Sequence, residues 1–161
     1  MGEKYQTDFP DLFHVLEQVD HIESQADKFA PQLKHSNQQS KIVELMKNAN
    51  LLCGDFVEYG AGKAGLSSFI ALEADKKSTF IVVEREARRN KKDKEIRAQG
   101  IEVQREMMDI KDFDLSYFSE KKNIIGVAKH LCGGATDLSL ASFKLVTDNL
   151  KGLAMATCCH H

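Results

Sequence analysis

No stretch of the chain is apolar over the roughly 18 to 20 residues that a bilayer-spanning helix needs, so a membrane-embedded class is not expected. Residues 1–8, Met-Gly-Glu-Lys-Tyr-Gln-Thr-Asp, lack the apolar centre of a signal peptide. Gly2 is not followed by Ser or Thr at position 6, and Thr7 falls one place late for myristoylation. Cys53, Cys132, Cys158 and Cys159 contain no Cys-x-x-Cys pair and none of the spacing of a secreted disulfide framework, which points to reduced thiols in a reducing compartment. An excess of one charge is lacking too. With 22 Lys and Arg against 24 Asp and Glu the net charge is −2, so any attraction to nucleic acid must come from a local patch. These absences lead to the expectation of a soluble intracellular protein, cytoplasmic or nuclear. What is present, 161 residues of which 42% are hydrophobic and 29% charged, suffices for one domain with a real core.

The most informative stretch is 55–66, Asp-Phe-Val-Glu-Tyr-Gly-Ala-Gly-Lys-Ala-Gly-Leu. Phe56 and Val57 predict a short buried strand. Gly60, Gly62 and Gly65 allow a sharp turn and close approach to a ligand. Leu66, Phe69, Ile70 and Leu72 then recur at helical spacing. Two cofactor classes use a glycine loop between strand and helix. Gly60-x-Gly62-x-x-Gly65 has the full dinucleotide spacing. Glu58, two residues before the first glycine, instead resembles the first motif of S-adenosylmethionine (SAM) methyltransferases, where an acid sits near the cationic end of the cofactor and would repel a pyrophosphate. Ala64 stands where that pattern expects glycine.

Along the chain, Leu12, Val15, Leu16, Val19 and Ile22 predict an amphipathic helix over 7–29, capped by Thr7 or Asp8 and ended by Pro31. His14 and His21 on it read as surface polar groups. The polar segment 34–40 reads as a linker before a second helix bearing Ile42, Leu45, Met46 and Ala49. Residues 1–35 are thus an N-terminal helical segment and 36–161 the core. Thr79 to Val83 is the β-branched run of a parallel strand buried on both faces, and Glu84 at its end can accept both ribose hydroxyls of a nucleoside cofactor. Arg85, Arg88, Arg89 and Lys92 form a basic stripe if the segment to Arg97 is helical, with Glu86, Asp93 and Glu95 facing elsewhere. Such a stripe suits a solvated face or an RNA contact. A third strand begins at 100–103 and runs toward Met107, Met108 and Asp109. Asp112 and Asp114 compete with Asp109 for an acid's role there. Residues 111–122 bring Phe113, Leu115 and Phe118 onto the sheet.

A fourth strand over 123–128 delivers Lys129, His130 and Cys132 to the carboxyl edge, where ligands bind in open α/β sheets. Lys129 and His130 are the best acid and base candidates, since burial and neighbours tune both toward neutrality. Thr136 is placed to cap a helix carrying Leu138, Ala141, Leu145 and Val146. A fifth strand, 152–157, leads into Cys158, Cys159, His160 and His161. Adjacent ligands on a strand face opposite ways, so these four cannot all reach one tetrahedral zinc without a sharp turn, and no metal site is assigned. A catalytic thiol at Cys132 or Cys159 has no identified activating partner.

Glu58-Tyr-Gly-Ala-Gly-Lys63, Val83-Glu-Arg-Glu86, Lys129-His-Leu-Cys-Gly-Gly-Ala-Thr-Asp137 and Ala156-Thr-Cys-Cys-His-His161 together resemble the eukaryotic tRNA 2′-O-methyltransferase family that modifies the fourth nucleotide of the acceptor stem. The Lys-His-Leu-Cys-Gly and Cys-Cys-His-His elements are the more specific. The resemblance runs from about Ser36 to His161. It implies a Rossmann-like α/β sheet in the order 3-2-1-4-5, SAM as methyl donor, and a tRNA ribose as acceptor. It implies cofactor contacts at Glu58, Gly60, Gly62, Glu84 and Asp109, and an active site at Lys129, His130, Cys159 and His160. Family members are longer and carry Cys/His zinc modules and a seven-stranded sheet. Five strands are counted here, so a truncated form lacking the last two is expected, with a raw edge that invites self-association. The alternatives are a noncatalytic RNA-binding or regulatory fragment and an NAD-type oxidoreductase.

Overall fold

In the computed structural model the described residues are 31–89, 91–118 and 120–157, with side chains from Ser36 onward. The helix expected over 7–29, with His14 and His21, lies outside them, as does the terminal segment 158–161. The β-branched and aromatic runs form strands β1 (Asp55–Tyr59), β2 (Thr79–Val83), β3 (Glu102–Glu106), β4 (Ile124–Lys129) and β5 (Leu150–Ala156). Every neighbouring pair is parallel, in the order β3-β2-β1-β4-β5. This is the expected α/β order. Parallel strands require crossovers that cover the sheet faces, and the helices are α1 (Pro31–Asn48), α2 (Gly65–Glu73), α3 (Asp93–Ala98) and α4 (Gly134–Lys144).

Alternation along the strands divides the core in two. Phe56, Phe80, Val82, Val103, Ile125 and Val127 face α1, α2 and α3, where Ile42, Met46, Leu66, Ile70 and Ile96 are buried against them. Phe56 and Phe80 stack across β1 and β2 with ring centroids 4.6 Å apart. On the other face Val57, Tyr59, Ile81 and Val83 pack with Phe143 and Val146 at the α4 end, and with Phe113 and Leu115. Phe113 follows the 3₁₀ turn Ile110–Asp112 and Leu115 opens the turn Leu115–Phe118, within the segment 111–122 expected to bring them onto the sheet. The buried Tyr59 hydroxyl is satisfied by the Ser142 hydroxyl on α4.

Three local expectations are overturned. The polar segment 34–40 is not a linker, because α1 already begins at Pro31. Proline fits a first helical turn, whose N–H groups have no intrahelical partner, and the half-buried glutamines at 38 and 39 are good helix formers. Residues 84–89, 91 and 92 are irregular, and the helix that follows covers only Asp93–Ala98, so no continuous helical stripe joins Arg85 to Arg97. On α4 the buried positions are Thr136, Ser139, Ser142 and Phe143, whereas Leu138 and Leu145 are exposed. Small hydroxyl side chains let this helix lie close to the sheet and return their hydrogen bonds locally, Ser139 to the Ala135 carbonyl and Thr136 to the Leu131 carbonyl. Thr136 therefore sits inside the helix, and Gly133 takes the cap position. Leu72 on α2 is likewise exposed, with Leu66, Ile70 and Ala71 inward.

A tight packing constraint falls on β4. A Cβ at Gly126 would lie 2.3 Å from Leu153 Cδ2 and 2.5 Å from Phe143 Cζ. We expect Gly126→Ala to overpack this layer and cost about 1–3 kcal/mol. At about 2–4 °C per kcal/mol for a chain of this size, thermal unfolding measures the loss directly. An unchanged Tm would show that Phe143 has room to move aside.

Candidate functional site

The carboxyl ends of β1, β2, β3 and β4 converge on the loop 60–64. Gly60 and Gly62 hold φ of 62° and 53°, left-handed values that favour glycine. Ala64 holds φ 62° at the start of α2, so the position where the methyltransferase pattern expects glycine does adopt a glycine conformation. The loop is stapled to the segment after β2. Ala61 N–H donates to the Val83 carbonyl at 3.1 Å, Gly62 N–H to Glu84 Oε2 at 2.8 Å, and Lys92 N–H to the Lys63 carbonyl at 2.8 Å. Glu84, 8% exposed, also accepts from Glu86 N–H through Oε1 at 2.9 Å. Each carboxylate oxygen thus has one donor and lone pairs remaining, a geometry able to take hydroxyl groups of a ligand. A Cβ at Gly62 would meet nothing within 4 Å, so the loop leaves open space for close approach. At Gly65 the corresponding position is occupied by the Gln39 amide, 2.6 Å away, which makes the third glycine a helix-packing residue. These features fit a nucleoside cofactor.

The parallel register sets a row of side chains across the sheet: Arg105 pairs with Val82, Val82 with Glu58, and Glu58 with Val127. Glu58 is 3% exposed and turned toward the start of α2, where its Oε2 accepts from the Ser67 N–H at 3.2 Å and from the Ser67 hydroxyl. Burial pushes its carboxyl up to about 7, against the opposing pull of the two Ser67 bonds and of the Arg105 and Lys129 charges. Burial likewise draws the Lys129 ammonium below its ordinary range, with Glu58 opposing. Glu58 and Lys129 therefore lie on one face of adjacent strands, each electrostatically coupled to the other.

His130 follows Lys129 with φ 61°, and its N–H donates to the Ala156 carbonyl at 2.8 Å. This left-handed residue ends the β4–β5 ladder and leaves its side chain exposed at the carboxyl edge. Cys132 is half-buried two residues on, and Cys53 is an exposed thiol elsewhere. Cys159 and His160 lie outside the described residues. Among the described residues no group of His, Cys, Asp or Glu could hold a metal ion. Asp109 stands three residues beyond β3, caps the following 3₁₀ turn through Lys111 N–H at 3.2 Å, and lies 3.8 Å from Arg85. Of its competitors, exposed Asp114 accepts from Ser116 N–H at 2.9 Å. Arg85, Arg88 and Arg89 are exposed on the irregular segment, and the acids expected to face elsewhere are in fact used: Glu86 pairs with Arg88 at 2.8 Å, Glu95 with Lys92 at 2.8 Å, and Asp93 with Arg105 at 2.6 Å.

Sequence reasoning missed Arg105, Ser67 and Gln39. Arg105 sits in a polar strand, Glu-Val-Gln-Arg-Glu, that gives no sign of a buried cation. Only its register opposite Val82, in the row of Glu58, could have singled it out.

Comparison with known proteins agrees with this geometry. The sequence model of the family described as Methyltransferase TRM13 matches residues 37–161. A Dictyostelium discoideum protein named tRNA:m(4)X modification enzyme TRM13 homolog is 40% identical, over 81% of this chain and 28% of its own length. The Homo sapiens protein of the same name is 40% identical over 66% of this chain and 24% of its own, and the Schizosaccharomyces pombe tRNA:m(4)X modification enzyme TRM13 is 32% identical over 80% and 38%. The chain thus spans well under half the length of these curated relatives. No solved structure matches it with significance. With the match covering the glycine loop, all five strands and the Lys129-His130 edge, the chain belongs to the TRM13 methyltransferase family.

Proposed function

We propose that residues 36–161 are the core of a SAM-dependent enzyme that methylates a ribose 2′-hydroxyl in the tRNA acceptor stem. The observation that carries this reading is the family match across the whole sheet, joined to a glycine loop whose neighbouring acids are Glu58 and Glu84. The relatives' printed names specify a tRNA and a modification at position four. Bound SAM supplies an electrophilic methyl group on a cationic sulfur. Glu84 would offer its remaining lone pairs to the ribose hydroxyls of the cofactor, Gly60 would shape the turn, Gly62 would admit the cofactor close to the backbone, and Glu58 would supply negative charge beneath the loop. Asp109, three residues beyond β3, would take the adenine side. The exposed Arg85, Arg88 and Arg89 line the approach to this edge and suit phosphates.

Transfer to a hydroxyl needs an aligned oxygen and a group that takes its proton. Lys129 fits that role best among the described residues. It ends β4 at the carboxyl edge, is half-buried, and has its ammonium weakened by desolvation. His130, beside it and exposed, is the second candidate, and Cys159 and His160 complete the set proposed from the family pattern.

The reading is tested by incubating tRNA with methyl-labelled SAM and mapping the label. A 2′-O-methyl group in the acceptor stem is expected. Binding of tRNA without label would favour a noncatalytic RNA-binding chain, and uptake of NAD in place of SAM would overturn the cofactor assignment. For Lys129→Ala we expect the single-turnover rate to fall by about 10²- to 10⁴-fold, the usual contribution of a general base, with SAM affinity retained; a full rate would remove Lys129 from the role. Glu58 makes affinity pH-dependent. Its pKa of about 7 means that it is protonated below that pH, and a cation is attracted only to the ionised form. SAM affinity should therefore rise as pH increases toward about 7 and then level off. Calorimetry on Glu58→Gln should show that slope flattened.

A further inference from the structure

Arg105 belongs to none of the motifs that identify the site, yet all three of its guanidinium nitrogens donate hydrogen bonds beside it. Its Nε donates to Asp93 Oδ2 at 2.8 Å and its Nη2 to Asp93 Oδ1 at 2.6 Å, a bidentate pair in which the side chains are only 8% and 10% exposed. Its remaining arm, Nη1, donates to the Gly62 carbonyl at 3.1 Å. The two peptide units that meet at Gly62 are consequently both held, the first through its N–H by Glu84 and the second through its carbonyl by Arg105.

We propose that Arg105, held by Asp93, is a positioning residue for the cofactor loop: it locks the Gly62 carbonyl and so presets the backbone that receives the cofactor. The inference rests on the SAM reading of that loop. Three physical arguments support it. The guanidinium is planar, so the bidentate bond to Asp93 fixes the direction in which the third arm points. In a trans peptide the carbonyl and the following N–H point in opposite directions, so turning the Gly62 carbonyl toward Arg105 sets the orientation of the Lys63 N–H on the other side. Two glycines at positive φ make 60–64 conformationally permissive, and such a loop binds tightly only if its geometry is imposed before the ligand arrives. The Arg105 guanidinium is held above its ordinary range chiefly by Asp93, with the Glu58 and Glu84 charges adding to the same effect. One residue therefore braces the backbone and balances the acids on either side of it.

A purely structural role, tying α3 to β3, predicts a different outcome from a positioning role, and the full chain can be tested for both. Backbone hydrogen exchange is measured without ligand, and SAM is titrated by calorimetry, for the wild type, Arg105→Met, Arg105→Lys and Asp93→Asn. In Arg105→Met we expect exchange at residues 60–65 to quicken by about tenfold or more while β1 and β4 keep their protection, and the Kd for SAM to rise by a similar factor, the scale of one lost charge-assisted hydrogen bond. Arg105→Lys, which keeps the charge but cannot serve Asp93 and Gly62 together, should show a partial effect, and Asp93→Asn a smaller shift in the same direction. If Arg105→Met does not fold, Arg105→Lys decides by the same two measurements. Wild-type binding of SAM with unchanged exchange at 60–65 and unchanged Kd in the variants, or loosening spread equally over all strands, would overturn the role of Arg105 alone. Failure of the wild-type protein to take up SAM would overturn the cofactor reading instead.

Discussion

The parallel register of the sheet is the constraint on which the site depends. Side chains that are neighbours across parallel strands project to the same face, so pairing β1 with β2 and β4 in this register places Glu58, Val82 and Val127 in line, with Arg105 added from β3. A slip of one residue in any strand would turn Glu58, Lys129 or Arg105 to the other face, against Tyr59, Phe113 and Phe143. The hydrophobic sets on both faces forbid that slip. Phe56 and Phe80 stack on one side while Tyr59 packs edge-on to Phe113 on the other. Core packing thus determines which charges meet at the carboxyl edge.

Those charges are arranged so that each buried one has a counterpart. Arg105 is answered by Asp93, Glu84 by the N–H groups of Gly62 and Glu86, and Glu58 by Ser67. Glu58 is the least compensated, since its partner is a neutral serine and its cations stand farther off, and burial accordingly holds its carboxyl up to about 7. A carboxyl poised in this way favours a positively charged ligand over a diphosphate, because the arriving cation restores the charge that burial suppresses. The glycine spacing suits both cofactor classes, so the proposed SAM reading draws its support from the family match and from the acids around the loop.

Much of the fold was legible because it rests on local composition. β-branched runs such as Thr79 to Val83 can be little else than buried parallel strands, and glycines at 60 and 62 between a strand and a helix announce a ligand loop. The errors came where amphipathic spacing was asked to report burial. On α4 leucines at 138 and 145 suggested an inward face, but close approach to the sheet selected Ser139 and Ser142 for that side. A polar N-terminal half disguised the start of α1 at Pro31, because solvent-facing helix and linker share a composition. Basic residues at spacings of three and four from Arg85 to Lys92 satisfied a helical template, yet the backbone there is tied into loop geometry by Lys92 N–H to the Lys63 carbonyl and Glu86 N–H to the Glu84 carboxylate.

The sequence by itself determined where the strands fall, the location of the glycine loop, and the acids at 58 and 84 that accompany it, since these follow from hydrophobic runs, turn residues and motif spacing along the chain; the strand order was implied by the family resemblance that its motifs carry. Only the tertiary structure decided that Arg105 reaches back to Gly62, that Ser67 takes the Glu58 carboxylate, and that Lys129 shares a face with it. Such contacts join residues nine to forty-three positions or more apart, from Ser67–Glu58 to Arg105–Gly62. They arise from register and packing, and one-dimensional periodicity carries no record of either.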